Sequence, residues 1–302
     1  MAFSIRAYSA GAWYSLTDRQ PYRWLDDDGL GMPPSHAISE RGPQQHGATR
    51  LAYRLDPRIL QAVIGFEASS LSQYWTKRSQ LIGSIFAPAD DPVILEFTLD
   101  NGDIRRLDVF YAGDAGMGYQ DRAHLWQRMG IALEAPDPTF YDPAAQAVNF
   151  SLDDADAWAI PWPMPWAISS PDINQTTIIT YPGTWNSLPI LRIWGPITYA
   201  TITNSITSVA DGSLITETLT FPAAIGDGDF YTIDCRYGQK TVVDAAGANQ
   251  ISKLLSYSDL STFAIRRARE ASGGINTIKV TGSGVTAATL LQVSYYNRYL
   301  GI

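Results

Sequence analysis

The sequence predicts a mainly β protein of two domains, a β-rich N-terminal domain with one helix followed by a β-sandwich. Three observations predict it. In the first half, alternating apolar and polar residues flank the turn pair Asn101-Gly102. In the second half, short β-like runs are separated by glycine turns. Between them, near the midpoint of 302 residues, lies Asp137-Pro138-Thr139-Phe140-Tyr141-Asp142-Pro143, a turn-rich run that no regular element tolerates. The length suffices for two domains of ordinary size.

Residues 1 to about 25 read as short strands rich in Trp and Tyr. Asp26 to Gly47 follows, a polar stretch with four glycines and three prolines that reads as a long loop. Thr49–Leu55 and Ala62–Phe66 read as strands. Ser69-Ser70 caps a helix in which Leu71, Tyr74, Trp75, Leu81, Ile82 and Ile85 recur at helical spacing as one core face, and Pro88 ends it. Val93–Leu99 and Ile104–Tyr111 form a hairpin through a type I′ turn at Asn101-Gly102. A last strand, Trp126–Leu133, leads into the Asp137-Pro138 boundary.

Beyond it, strands are expected at 176–180, 189–194, 198–203, 213–220, 230–234, 239–243, 262–265, 276–280 and 290–296. The run Trp158–Ile168 is the most apolar, but Pro161, Pro163 and Pro165 forbid a helix and make it an extended connector.

The net charge of -8 argues against a nucleic-acid reader with a basic face, though an acidic wall lets DNA pass without adhering. Cys235 is the only cysteine, which excludes an internal disulfide and a multi-cysteine zinc site. The start, Met1 to Tyr8, does not read as a signal peptide. No apolar run reaches about 18 residues, so no membrane span is expected.

Catalytic patterns are missing. His36, His46 and His124 form no His-Glu-x-x-His pair, and there is neither a Gly-x-Ser-x-Gly elbow nor a P-loop. Gly113, Gly116 and Gly118 lack dinucleotide-binding spacing. Asp153, Asp154 and Asp156 crowd one loop instead of facing each other across a cleft, and Asp227 and Asp229 offer too few oxygens for calcium. The expectation is no enzyme, no catalytic residue, no metal and no cofactor. Positive charge gathers instead at Arg41, Arg50, Arg54 and Arg58. With Gln44, Gln45 and His46 beside them, these arginines read as a contact for a neighbouring subunit.

Several blocks in order carry a family resemblance: Asp28-Gly29-Leu30-Gly31-Met32-Pro33-Pro34, Arg41 to Gly47, Arg54-Leu55-Asp56-Pro57-Arg58, Ala89-Asp90-Asp91-Pro92, and Ala135 to Pro143. Gly195-Pro196, Gly273 to Ile278 and Arg298-Tyr299-Leu300-Gly301-Ile302 complete the set. The chain resembles the siphophage distal tail proteins, and departs from them at Ser272-Gly273-Gly274, where the family often shows Pro-Gly.

That resemblance implies a split-barrel-like N-terminal domain with one helix over 1–143, a linker over 144–170 and a galectin-like β-sandwich over 171–302. It implies a virion protein of the tail tip, assembled in the host bacterial cytoplasm. Six copies would form a ring between the tail tube protein and the tail-tip hub protein. DNA would pass through the lumen, and no membrane is involved.

A belt-like loop at about 26–50 would reach the next subunit through Arg41, Gln44, Gln45, His46 and Arg50. Asp137, Pro138, Phe140, Tyr141 and Pro143 would fix the domain junction. The alternative is a carbohydrate-binding host-recognition module that stacks sugars on Trp158, Trp162, Trp166 or Trp185.

Overall fold

A computed structural model describes residues 4–17, 21–118, 122–151 and 172–302. The chain divides into two compact units, Met1–Pro143 with Tyr299–Ile302, and Ala144–Arg298.

The first unit contains β1 (Ser4–Ser9), β2 (Ala12–Ser15), β3 (Arg23–Asp28), β4 (Ser35–Glu40), β5 (Thr49–Leu55), β6 (Arg58–Glu67) and helix α1 (Leu71–Gln80). After the helix come β7 (Val93–Thr98), β8 (Ile104–Gly116), β9 (Arg122–Ala123), β10 (Trp126–Ala135) and β11 (Phe140–Tyr141). An antiparallel sheet runs β2-β1-β7-β8-β10-β6-β3, which leaves β2 and β3 as its edges. Strand periodicity explains its burial. Leu60, Ala62, Ile64 and Phe66 of β6 point one way, as do Met129, Ile131, Leu133 and Ala135 of β10, and all are buried.

Helix α1 starts where Ser70 Oγ accepts the Gln73 N–H at 3.2 Å. It continues into a π-helical turn, Leu81–Ile85, where the Phe86 N–H reaches Leu81 O. The apolar stripe divides here, contrary to the single core face that the spacing predicts. Tyr74, Leu81 and Ile85 are buried, whereas Leu71, Trp75 and Ile82 are about half exposed. The two triplets are each spaced by four and seven residues, so they form two parallel stripes. The sheet covers only one.

The β7–β8 hairpin forms as predicted, but its turn is of another type. Gly102 N–H bonds Leu99 O, and Leu99 N–H bonds Asp103 O, so the loop has three residues. Gly102 has φ +87° while Asn101 stays at negative φ, which is a type I turn closed by a left-handed glycine. Positive φ at two successive residues occurs instead between β1 and β2, at Ala10 and Gly11.

The stretch read as a long loop, Asp26 to Gly47, holds the first strand of a hairpin. β4 and β5 pair antiparallel from Ser35↔Leu55 to Glu40↔Thr49, with a bulge between Ile38 and Ser39. Neither strand pairs with anything else. Thr49–Leu55 reads as a strand from the sequence; Ser35–Glu40 does not, because it does not alternate apolar with polar residues against a core.

The second unit is a sandwich. Its strands are β12 (Gln146–Ser151), β13 (Ile173–Thr180), β14 (Ile190–Trp194), β15 (Tyr199–Thr207), β16 (Leu214–Phe221), β17 (Phe230–Asp234), β18 (Thr241–Asp244), β19 (Ile275–Ser283) and β20 (Leu290–Tyr295). One sheet runs β12-β20-β14-β17-β18 and the other β13-β19-β15-β16. Leu191, Ile193, Ile233, Leu291 and Val293 from the first pack with Ile202, Leu219, Ile278 and Val280 from the second.

Three boundaries differ from the sequence reading. Residues 146–151, assigned to a linker, form a sandwich strand that buries Phe150. Tyr299–Ile302, assigned to the sandwich, belong to the first unit. The segment 262–265 is no strand. Phe263, Ala264 and Ile265 are buried without a ladder, and Ile265 is held by a single bridge to Ser187.

Candidate assembly interface

The hairpin β4–β5 forms an arm. Every residue of its two strands is exposed except Leu55, which is half-buried. Its apolar residues are open to water as well, with Leu51 60% and Ile38 45% exposed, and Met32 beside the arm's root reaches 77%. A two-stranded hairpin with both faces solvated is marginal by itself, because nothing offsets the entropy of ordering it. An arm of this composition gains burial only when another surface covers it.

The tip of the arm is braced from within. Gln45 Oε1 accepts the Gly42 N–H at 3.0 Å, and Gln45 Nε2 donates to Thr49 Oγ1 at 2.7 Å. Arg41 Nε donates to Gln45 O at 3.3 Å. The five residues of the predicted contact thus fall into two groups. Gln45 shapes the turn, while Arg41, Gln44, His46 and Arg50 are exposed around it. The Arg50 guanidinium lies 5.2 Å from the Tyr53 ring.

The arm's root is pinned by Arg58, which the sequence reading grouped with the surface arginines. Arg58 is 1% exposed. Its Nε donates to Pro138 O at 2.9 Å, Nη1 to Gly31 O at 2.7 Å and to Gly29 O, and Nη2 to Leu300 O at 2.6 Å. Its acceptors are thus main-chain carbonyls of three distant segments, which suits a planar fork of five donors. Burial pushes the guanidinium down to about 10, so it remains charged at neutral pH. The Phe140 ring sits under it at 4.7 Å. The signal for its burial was phase: Arg58 lies on the same side of β6 as Leu60, Ala62 and Ile64.

Gly29 completes this pin. It has φ +102°, and a Cβ there would stand 2.4 Å from Ile59 O. A Cβ at Gly301 would stand 3.0 Å from Gly31 O, and the Ile302 N–H bonds Leu30 O at 3.3 Å. The residues that carry the resemblance, dispersed in sequence at 28–34, 54–58, 135–143 and 298–302, therefore converge on one buried cation.

The segment read as a domain junction faces into the first unit. Asp137 Oδ1 accepts the Thr139 hydroxyl at 2.7 Å, Phe140 is buried edge-on to Phe97 at 5.8 Å, and Tyr141 Oη donates to Asp108 at 2.6 Å. Asp142 pairs with Arg105 at 2.8 Å, whose guanidinium covers the Tyr299 ring at 3.8 Å. Pro143 is the unit's last residue before the chain enters the second.

Near the root, the edge strand β3 ends in Asp26, Asp27 and Asp28, of which Asp26 and Asp28 are exposed and Asp27 is half-buried. Asp27 accepts the Trp24 indole N–H at 2.9 Å. Two clefts share this edge. One, of about 280 Å³, is floored by the small residues Val63, Gly130 and Ala132. The other, of about 570 Å³, lies between Asp28, Leu30, Asp100 and Ile302.

The remaining candidates build no reactive centre. His36, His46 and His124 are exposed and separate, and no group of three metal-ligating side chains occurs among the described residues. Trp185 is half-buried under the Arg267 guanidinium at 4.7 Å, which occupies the ring face a sugar would stack on. Asp153, Asp154, Asp156, Trp158, Trp162, Trp166 and the proline-interrupted run lie outside the described residues.

Known structures carry the same architecture. The crystal structure of phage SPP1 Dit, described as a paradigm of the hub adsorption apparatus in phages infecting Gram-positive bacteria, superposes with a TM-score of 0.62. The match covers 97% of this chain and 98% of that one at 13% identity.

The fold is that of SPP1 Dit.

Chains of the phage p2 baseplate in its activated conformation with calcium or strontium also align, at 9% and 10% identity with TM-scores of 0.44 and 0.46. They cover 97% of this chain and 98% of each neighbour, and carry no further weight here. No family model and no curated protein matches the sequence. The Dit fold is thus common to two chains that share little sequence. No helix of the described residues is long and apolar enough to cross a membrane.

Proposed function

We propose that this chain is a structural subunit of a siphophage tail tip, acting by assembly and not by catalysis. Copies close into a ring, six by the family resemblance, between the tail tube protein and the tail-tip hub protein, with DNA passing through the lumen. The virion tail is its place of action. One observation carries the reading: a chain with the Dit fold projects an arm on which the apolar Leu51, Ile38 and Tyr53 stay 60%, 45% and 41% exposed.

Head-to-tail contact explains why such an arm stays open in a single copy. A surface that binds a different surface of an identical neighbour is satisfied only when the ring closes. The exposed Arg41, Gln44, His46 and Arg50 then form the contact, while Gln45 keeps the tip in shape. The acidic lumen expected from the net charge of -8 lets DNA pass without adhering.

Removal of residues 38–48, with a short glycine closure, tests the reading by analytical ultracentrifugation. Folded monomers that melt like the parent are the expected result, since the arm packs on no core. Oligomers of unchanged mass would refute the arm's role.

A further inference from the structure

We propose that the seat of the arm is the outer edge of β3, with its two clefts, on the next copy of the chain. This deepens the proposed ring and rests on it.

In the sheet ladder β3 pairs only with β6; the Trp24 N–H bonds Leu16 O and the Asp27 N–H bonds Asp26 Oδ1, and the rest of its outer row is open among the described strands. The arm presents two further open edges, those of β4 and β5. Strand addition at such edges is a recurrent mode of association, with main-chain hydrogen bonds for affinity and side-chain pockets for register. Here the pockets adjoin the edge. Val63, Gly130 and Ala132 leave one floor low, and Leu25 stands 40% exposed beside it. Apolar side chains such as Leu51 and Tyr53 of the arm suit that floor.

Charge selects the partner. From Ser35 to Leu55 the arm holds Arg41, Arg50 and Arg54 against Glu40 alone. The β3 segment holds Asp26, Asp27 and Asp28 against Arg23, with Asp100 facing the larger cleft. Helix α1 is a poorer seat for this arm, because it carries no acidic residue, and its charged residues, the buried Lys77 and the half-buried Arg78, are basic. Complementary fields of this kind fix register and speed encounter more than they add affinity. The arm and its seat are different surfaces of one unit, so the contact propagates around a ring when the neighbour that receives the arm passes its own arm to the next copy.

Charge exchange tests this. One variant carries Asp26→Lys and Asp28→Lys, and another Arg50→Glu and Arg54→Glu; all four residues are exposed, and circular dichroism and melting confirm the fold. Mass photometry then reads assembly of the full chain. Each variant alone is expected to lose the ring mass, at least tenfold in ring population. An equimolar mixture restores it, because each arm again meets an opposite edge, and so does the fourfold variant.

Variants that assemble like the parent would overturn the seat while leaving the ring standing. Folded variants that the mixture fails to restore would also overturn it, since an arm lying on its own edge, or another partner in the clefts, gives that result. A parent chain that stays monomeric at every concentration would refute the ring, and the seat with it.

Discussion

At the scale of single residues, Arg58 does the most. A guanidinium without solvent is costly, and here four carbonyls offset that cost. Arg58→Met leaves those carbonyls without their donors and is expected to lower stability by about 3 kcal/mol in chemical denaturation. Arg58→Lys, whose compact ammonium cannot span three segments, is expected to lose about 2 kcal/mol. Cys235 is the opposite case, an inert group. It is fully buried in the sandwich core, and burial pushes its thiol up to about 12. Native protein is therefore expected not to react with iodoacetamide at pH 8, and denatured protein to give one thiol per chain. Because the folded pKa is the raised one, its contribution to stability is complete below about 9 and falls away as pH rises toward 12. Denaturation midpoints that fall on raising pH from 9 to 10.5 in the parent, and fall less in Cys235→Ala, would bear this out.

At the scale of elements, the arm and the helix share a property that sequence periodicity obscures. Both display apolar residues that their own unit does not cover. In α1 the six apolar positions suggest one broad face, yet Leu71, Trp75 and Ile82 turn outward. In the arm, glycines and prolines suggest a loop over Asp26–Gly47, yet Ser35–Glu40 within it pairs with Thr49–Leu55 as a hairpin. The hinge between arm and sheet is Gly29. A Cβ there collides with main chain, not with a side chain that can move aside. Gly29→Ala is expected to cost more than about 2 kcal/mol and to misplace the arm, read as loss of assembly before loss of fold. The equivalent change at Gly102 meets open space and strains only a turn, so it is expected to cost about 1 kcal/mol and leave assembly intact.

At the scale of the whole molecule, what was legible in the sequence was what local periodicity dictates. Strands β6 and β10 alternate over most of their length because one face meets a core, and the helix cap at Ser70 is a local hydrogen bond, whereas β7 also buries Glu96 against Arg6 and Arg106. What stayed hidden depends on residues far apart in the chain. Nothing near Arg58 announces that residue 300 will bond to it. The phase of β6 was the available clue, and the habit of placing arginine on the surface hid it. The strand at 146–151 was hidden by its neighbours, since six residues beside a proline-rich run read as part of a connector. The candidate contact was legible as a cluster of residue types at 41–50, but its division into a structural Gln45 and exposed neighbours required the geometry of the tip.

If this chain works as proposed, identical copies clasp one another around an opening. Electron micrographs of the purified full chain, sorted into two-dimensional class averages, examine it most directly. The account expects closed rings with a central hole and uniform symmetry. Class averages showing only particles of a single chain, at every concentration tried, would contradict that.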